Sequence, residues 1–190
     1  MTLKQPDTQL GKRFAWGGIL TVLTVASTLG LACGTPFAAL AALAALFLPR
    51  RDAFVLITVN WLANQAIGFG LLHYPQNWDC YRGGINLAIA ALLATMAALP
   101  AQRVLRNAAT TARAIGSFVV AFVAYEAALF LLSPAGSSAD FAAPVVLYIL
   151  YVNAVAFVGL LLFKAVAAAL GFLPIKYDAA APRGEANARP

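Results

Sequence analysis

Long apolar runs, parted by short charged or polar segments, follow one another along most of this 190-residue chain. A helix needs roughly 20 consecutive apolar residues to cross a bilayer. Six stretches can be read: Phe14–Cys33, Pro36–Leu48, Ala53–Leu72, Gly83–Leu99, Ala114–Leu132 and Phe141–Phe163, the last fraying on to Leu170. Composition agrees, since 62% of residues are hydrophobic and 11% are charged, whereas a soluble domain carries about a quarter charged residues. The expected fold is an all-α integral membrane protein, a bundle of six transmembrane helices over residues 14–173. A cytoplasmic N-terminal segment, 1–13, precedes it, and a cytoplasmic tail, 174–190, follows. The tail, rich in alanine, proline and charge from Asp178 on, reads as disordered.

The positive charges test this parse. Inside loops of membrane proteins collect Lys and Arg. With the N-terminus in the cytoplasm, the inside segments hold Lys4, Lys12, Arg13, Arg50, Arg51, Arg103, Arg106, Arg113, Lys164, Lys176, Arg183 and Arg189. Of the 13 basic residues only Arg82 falls outside. The second stretch is short for a span, but dropping it would put Arg50 and Arg51 outside. Thr35-Pro36 also reads as a helix start, a capping hydroxyl followed by proline at the first helical position.

The net charge of +6 does not point to nucleic acid. The charges flank apolar runs, and no basic stripe interleaved with aromatics occurs. Lys12-Arg13, an apolar run and Leu31-Ala32-Cys33 resemble a lipoprotein leader, but Gly30 stands where an aliphatic residue is usual. No internal repeat is visible.

The unusual residues concentrate in the outer segment between the third and fourth spans: His73-Tyr74-Pro75-Gln76-Asn77-Trp78-Asp79-Cys80-Tyr81-Arg82. Interfacial belts explain Tyr74, Trp78 and Tyr81. They do not explain Asp79, Cys80, Arg82 and two amides among them, and a ligand-binding loop is the expectation. Cys80 is the sharpest residue, because a thiolate is a soft donor for transition metals. Asp79 and Arg82 pull its charge state in opposite directions. It could equally be a small apolar residue, pair with Cys33, or belong to a thiol oxidoreductase, although that chemistry favours a Cys-x-x-Cys pair that is absent here. One histidine and two separated cysteines do not have zinc-site spacing.

Polar residues also occur within the spans. Asn60 and Asn64 lie four apart on one face, with Trp61 and Gln65 on an adjacent stripe. Interhelical hydrogen bonding is the expected role of Asn60 and Asn153. Glu126, beside Tyr125, is balanced between substrate contact and structural partner. No other carboxylate in the spans would complete a proton relay. Ala38-xxx-Ala42 and Ala41-xxx-Ala45 permit close helix approach, within the chain or against a partner.

Six short helices in a chain of this length, and Trp61-Leu62-Ala63-Asn64-Gln65-Ala66-Ile67-Gly68-Phe69 leading into Tyr74-Pro75 and Asp79-Cys80, resemble the BtuM family. These are small bacterial cobalamin transporters similar to the substrate-binding S-components of energy-coupling-factor (ECF) transporters. The resemblance covers Phe14 to Leu173 and implies an S-component-like bundle in the bacterial inner membrane. It implies uptake of cobalamin or a related corrinoid, a substrate and not an intrinsic cofactor, bound at the outer face. Cys80 would be an axial cobalt ligand, with His73 as its rival. Tyr74, Trp78 and Tyr81 would pack on the corrin edge, while Asn77, Asp79 and Arg82 would bond peripheral amides and the tail phosphate. A coordinated thiolate would also donate electron density to cobalt and help expel an upper ligand such as cyanide, a side activity that would make Cys80 catalytic. The alternatives are an S-component-like binder of another vitamin, a membrane thiol enzyme, and a structural subunit. S-components that dock on the shared energising module show Ala-xxx-Ala in their first helix. This chain has only Ala26-xxx-Gly30, so module docking is in doubt and transport by the lone protein stays open. The chain has no Gly-x-x-x-x-Gly-Lys motif for nucleotide.

Overall fold

Lipid offers no partner to a backbone N–H or C=O, so helices, which satisfy these groups internally, are the natural answer to such a sequence. The computed structural model describes residues 35–133 and 141–169, and every regular element among them is helical. The expected first span with Cys33, the segment 134–140 and the tail lie outside the described residues. The elements are α1 (Phe37–Phe47), α2 (Arg50–Gly70), α3 (Trp78–Val104), a 3-10 turn (Leu105–Asn107), α4 (Thr110–Leu132) and α5 (Ala143–Ala169).

Four of these helices, α2 to α5, are long and apolar enough to cross a membrane. At 1.5 Å per residue, the shortest, 21 residues, covers about 32 Å, slightly more than a hydrocarbon core. The fifth, α1, has 11 residues and reaches only half that distance. Its position shows how so short a helix is tolerated. It touches each of the four long helices, and Phe37 to Ala45 are all buried. Both small-residue pairs, Ala38/Ala42 and Ala41/Ala45, are therefore covered within the chain.

The packing runs opposite to that of a soluble protein. The interior is built from alanines of α1, Ala90, Ala91, Ala94 and Ala98 of α3, and Ala121 of α4, together with polar Asn60, Thr95, Ser117 and Asn153. Large aliphatic side chains such as Val55, Leu62, Leu93, Val123, Leu131 and Leu162 point outward. Small residues bring helix backbones together and bulky apolar ones face the solvent, as expected where that solvent is lipid.

Several boundaries differ from the sequence reading. The stretch Trp78–Arg82, expected in a loop, forms the opening of α3, because Asn77 caps it: its Oδ1 accepts the Cys80 N–H at 2.9 Å. At the other end α3 continues through Pro100 to Val104 rather than stopping at Leu99. A proline this close to a helix end disturbs only the last turn. The helix α2 starts at Arg50, directly after Pro49, and α4 at Thr110. Lys164, expected on the cytoplasmic side just beyond the last apolar stretch, lies within α5. Pro36, expected at the first helical position with Thr35 as cap, is itself the N-cap residue of α1 and makes no side-chain cap bond.

Candidate ligand-binding site

The end of α2 and the start of α3 are tied by a short turn whose geometry follows from particular residues. Leu71 and Leu72 both donate to the Ile67 carbonyl, closing the helix. His73 then turns the chain with a positive φ of 53°, an uncommon conformation for a non-glycine residue. Tyr74 returns to the helix: its N–H donates to the Gly68 carbonyl at 3.0 Å, and its ring lies over Gly68, where a Cβ would stand 2.6 Å from the ring. Glycine is required there for the ring to seat. Phe69 stacks on Tyr81 at 5.1 Å between centroids and meets Tyr74 edge-on at 6.1 Å.

One turn deeper, the two polar stripes of α2 serve different neighbours. The Trp61 indole N–H donates to the Gly84 carbonyl of α3 at 2.8 Å. Gln65 packs its carboxamide onto Gly84. Asn64 points toward α1, where its Nδ2 donates to the Thr35 hydroxyl, and its Oδ1 accepts from Gln65 Nε2 at 3.3 Å. Asn60 is 1% exposed and donates to the Leu56 carbonyl of its own helix.

Between these parts lies an open cavity of about 420 Å³. Its polar wall is Thr35, Asn64, Gln65, Tyr74, Asn77, Asp79 and Cys80, and its apolar wall is Phe37, Phe69, Leu87 and the backbone of Gly83 and Gly84. The volume is within the range of small-molecule sites. A thiol, a carboxylate and three carboxamides converge here, a set able to bond amides and phosphate oxygens and to offer one soft donor to a metal. Among the described residues there is no cluster of three or more His, Cys, Asp or Glu side chains that could hold a bare metal ion.

Of the residues singled out in the sequence, Tyr74, Asn77, Asp79 and Cys80 share this cavity. Cys80 is a half-buried free thiol in the first turn of α3. His73 is exposed and does not line the cavity. Trp78, 70% exposed, also lies off the wall, and Tyr81 reaches it only through Phe69. Arg82 pairs with Asp79 at 2.9 Å on the exposed side of the helix, a pair worth less than about 1 kcal/mol. Glu126 sits on α4, away from the cavity wall, and neither of its buried oxygens has a hydrogen-bond partner.

The sequence reading did not include Thr35, Phe37, Asn64, Gln65, Phe69 or the Gly83-Gly84 pair in the site. The adjacent amides of Asn64 and Gln65, in the half of α2 leading to the loop, were the available signal. No protein family, curated protein or solved structure was found to match this chain.

Proposed function

We propose that this protein binds cobalamin or a related corrinoid at the outer face of a bacterial inner membrane and carries it inward, with Cys80 as an axial ligand to cobalt. One observation carries the reading: Cys80 presents a free thiol to an open cavity, and no group of three or more His, Cys, Asp or Glu side chains among the described residues could hold a bare metal ion there. Such a site suits a metal that brings most of its coordination shell along. A corrin supplies four nitrogens in a plane and leaves axial positions for a protein donor. The cavity is smaller than a corrinoid, so the macrocycle would rest across its mouth with its amides near Asn64, Gln65, Asn77 and Asp79.

The proposed topology has six spans with both termini cytoplasmic. It is supported by the direction of the helices: the cavity lies at the C-terminal end of α2 and the N-terminal end of α3, opposite Arg50, Arg51 and Arg103. The membrane potential and the positive-inside rule favour the basic end in the cytoplasm. The amide-rich wall also suits a metal-free vitamin, and one substitution separates the two. Purified protein incubated with cobalamin should become coloured, with an absorption spectrum shifted from that of the free vitamin. Cys80→Ala should lose the shift and bind at least tenfold more weakly. A wild type that stays colourless refutes the proposal, and an unchanged spectrum in Cys80→Ala removes cobalt ligation.

A further inference from the structure

At the end of the bundle opposite the cavity, two side chains in contact with each other, Gln102 and Arg113, each keep a buried hydrogen-bond donor that has no partner among the described residues. The 3-10 turn between α3 and α4 is folded down onto α4, with Leu105 packed where a Cβ at Gly116 would stand 2.5 Å away. Across this turn, Arg113 Nη2 donates to Gln102 Oε1 at 3.3 Å. That contact fixes the orientation of both groups and leaves Arg113 Nε and Gln102 Nε2 buried without a partner. Gln102 is only 9% exposed. One turn along α4, on the face of Arg113, Ser117 is fully buried and its Oγ is also unpartnered.

Two further features have the same sign. The 23-residue helix α4 has Ala109 as its N-cap residue, which offers no side-chain cap, so its first N–H groups remain open. Arg103 precedes the turn and Arg106 lies within it, and the sequence holds no Asp or Glu between Asp79 and Glu126. The one ion pair among the described residues, Arg82–Asp79, is at the far end. Buried donors left without acceptors cost about 1–3 kcal/mol each, so an acceptor is the missing part.

We propose that the α3–α4 turn is a binding site for a phosphate-type oxyanion, held by Arg113 Nε, Gln102 Nε2 and the open N-terminus of α4. The oxyanion is either the headgroup of an anionic phospholipid or free phosphate. This site is independent of the corrinoid reading and lies at the other end of the molecule.

Thermal unfolding of the purified full chain in nanodiscs tests it. Discs containing phosphatidylglycerol, compared with phosphatidylcholine alone, should raise the midpoint by on the order of 2–4 °C. Arg113→Gln and Gln102→Leu should each abolish the rise. Gln102→Leu removes an orphaned donor but also the acceptor of Arg113 Nη2, so its own midpoint in phosphatidylcholine is the baseline for its response. The double variant Arg50→Gln/Arg51→Gln, on a neighbouring basic turn, should keep the rise. If inorganic phosphate in phosphatidylcholine discs gives the same rise, lost in Arg113→Gln, the site takes the free ion. The proposal is overturned if neither additive stabilises the wild type. It also fails if both site variants respond like the wild type, or if the Arg50/Arg51 variant loses the rise as fully as they do.

Discussion

The Oδ1 of Asn153 accepts the backbone N–H of Ala39 at 3.1 Å, so α5 supplies the cap that α1 lacks in its own sequence. The same side chain donates to the Ile149 carbonyl at 3.0 Å, which fixes its orientation. Asn153 is 1% exposed, and an orphaned N–H at this depth has no water to turn to. Asn153→Ala should therefore destabilise the protein by about 1–2 kcal/mol. Asn86→Ala, which removes a longer bond of 3.2 Å to the Leu132 carbonyl in a less buried place, should cost less. Unfolding midpoints in one detergent check the order; equal effects would mean that Asn153 is not the cap of α1.

At the other end of α1, Lys164 Nζ stands 3.5 Å from the centroid of the Phe47 ring. Three turns of α5 separate Asn153 from Lys164, and the two residues hold opposite ends of α1, so the helices run parallel. A cation at a helix C-terminus also meets its negative pole. Lys164→Met keeps the apolar stem and removes the charge; a loss of about 0.5–2 kcal/mol is expected. Lys164→Arg should recover most of it, and a neutral result for Lys164→Met would show that the stem alone matters.

Gly84→Ala separates folding from binding. A Cβ there would stand 2.5 Å from Gln65 Oε1, the far end of a flexible side chain that can swing aside into the cavity. The unfolding midpoint should fall by little, while affinity for the ligand falls several-fold. Gly68→Ala meets the stiff Tyr74 ring instead, and overpacking of that kind costs about 1–3 kcal/mol. Calorimetric titration beside a melting curve distinguishes them; a Gly84→Ala protein that binds normally would show that Gln65 does not touch the ligand.

His73→Gly tests the rival metal donor. At φ 53° a histidine is in the left-handed region, where glycine is at ease and other residues lose about 1 kcal/mol. The variant should be as stable as the wild type or slightly more so, and its cobalamin spectrum should match the wild type. A lost spectral shift with folding intact would make His73 the ligand in place of Cys80.

Much of the architecture is legible in the chain. The apolar runs gave the positions of α1 to α5 to within a few residues, since lipid demands both length and hydrophobicity. The start of α3 was missed because Trp78 to Arg82 read as polar loop chemistry. A good cap, Asn77, outweighs that composition and draws Asp79 and Cys80 into helix. The cavity wall was half visible: Tyr74, Asn77, Asp79 and Cys80 stood out by residue type. Phe69, Gly84 and Thr35 did not, because each acts through a neighbour distant in sequence.

The sequence by itself determined that the described helices are apolar along their length, basic toward one end and rich in chemistry at the other. These properties depend on local composition and need no fold to be read. Only the tertiary structure decided that α1 is buried on all sides and capped from α5, that Cys80 rather than His73 faces the cavity, and that Gln102 meets Arg113. Each of these is a contact between segments, set by which small residues let two backbones approach, and no single stretch of chain encodes it.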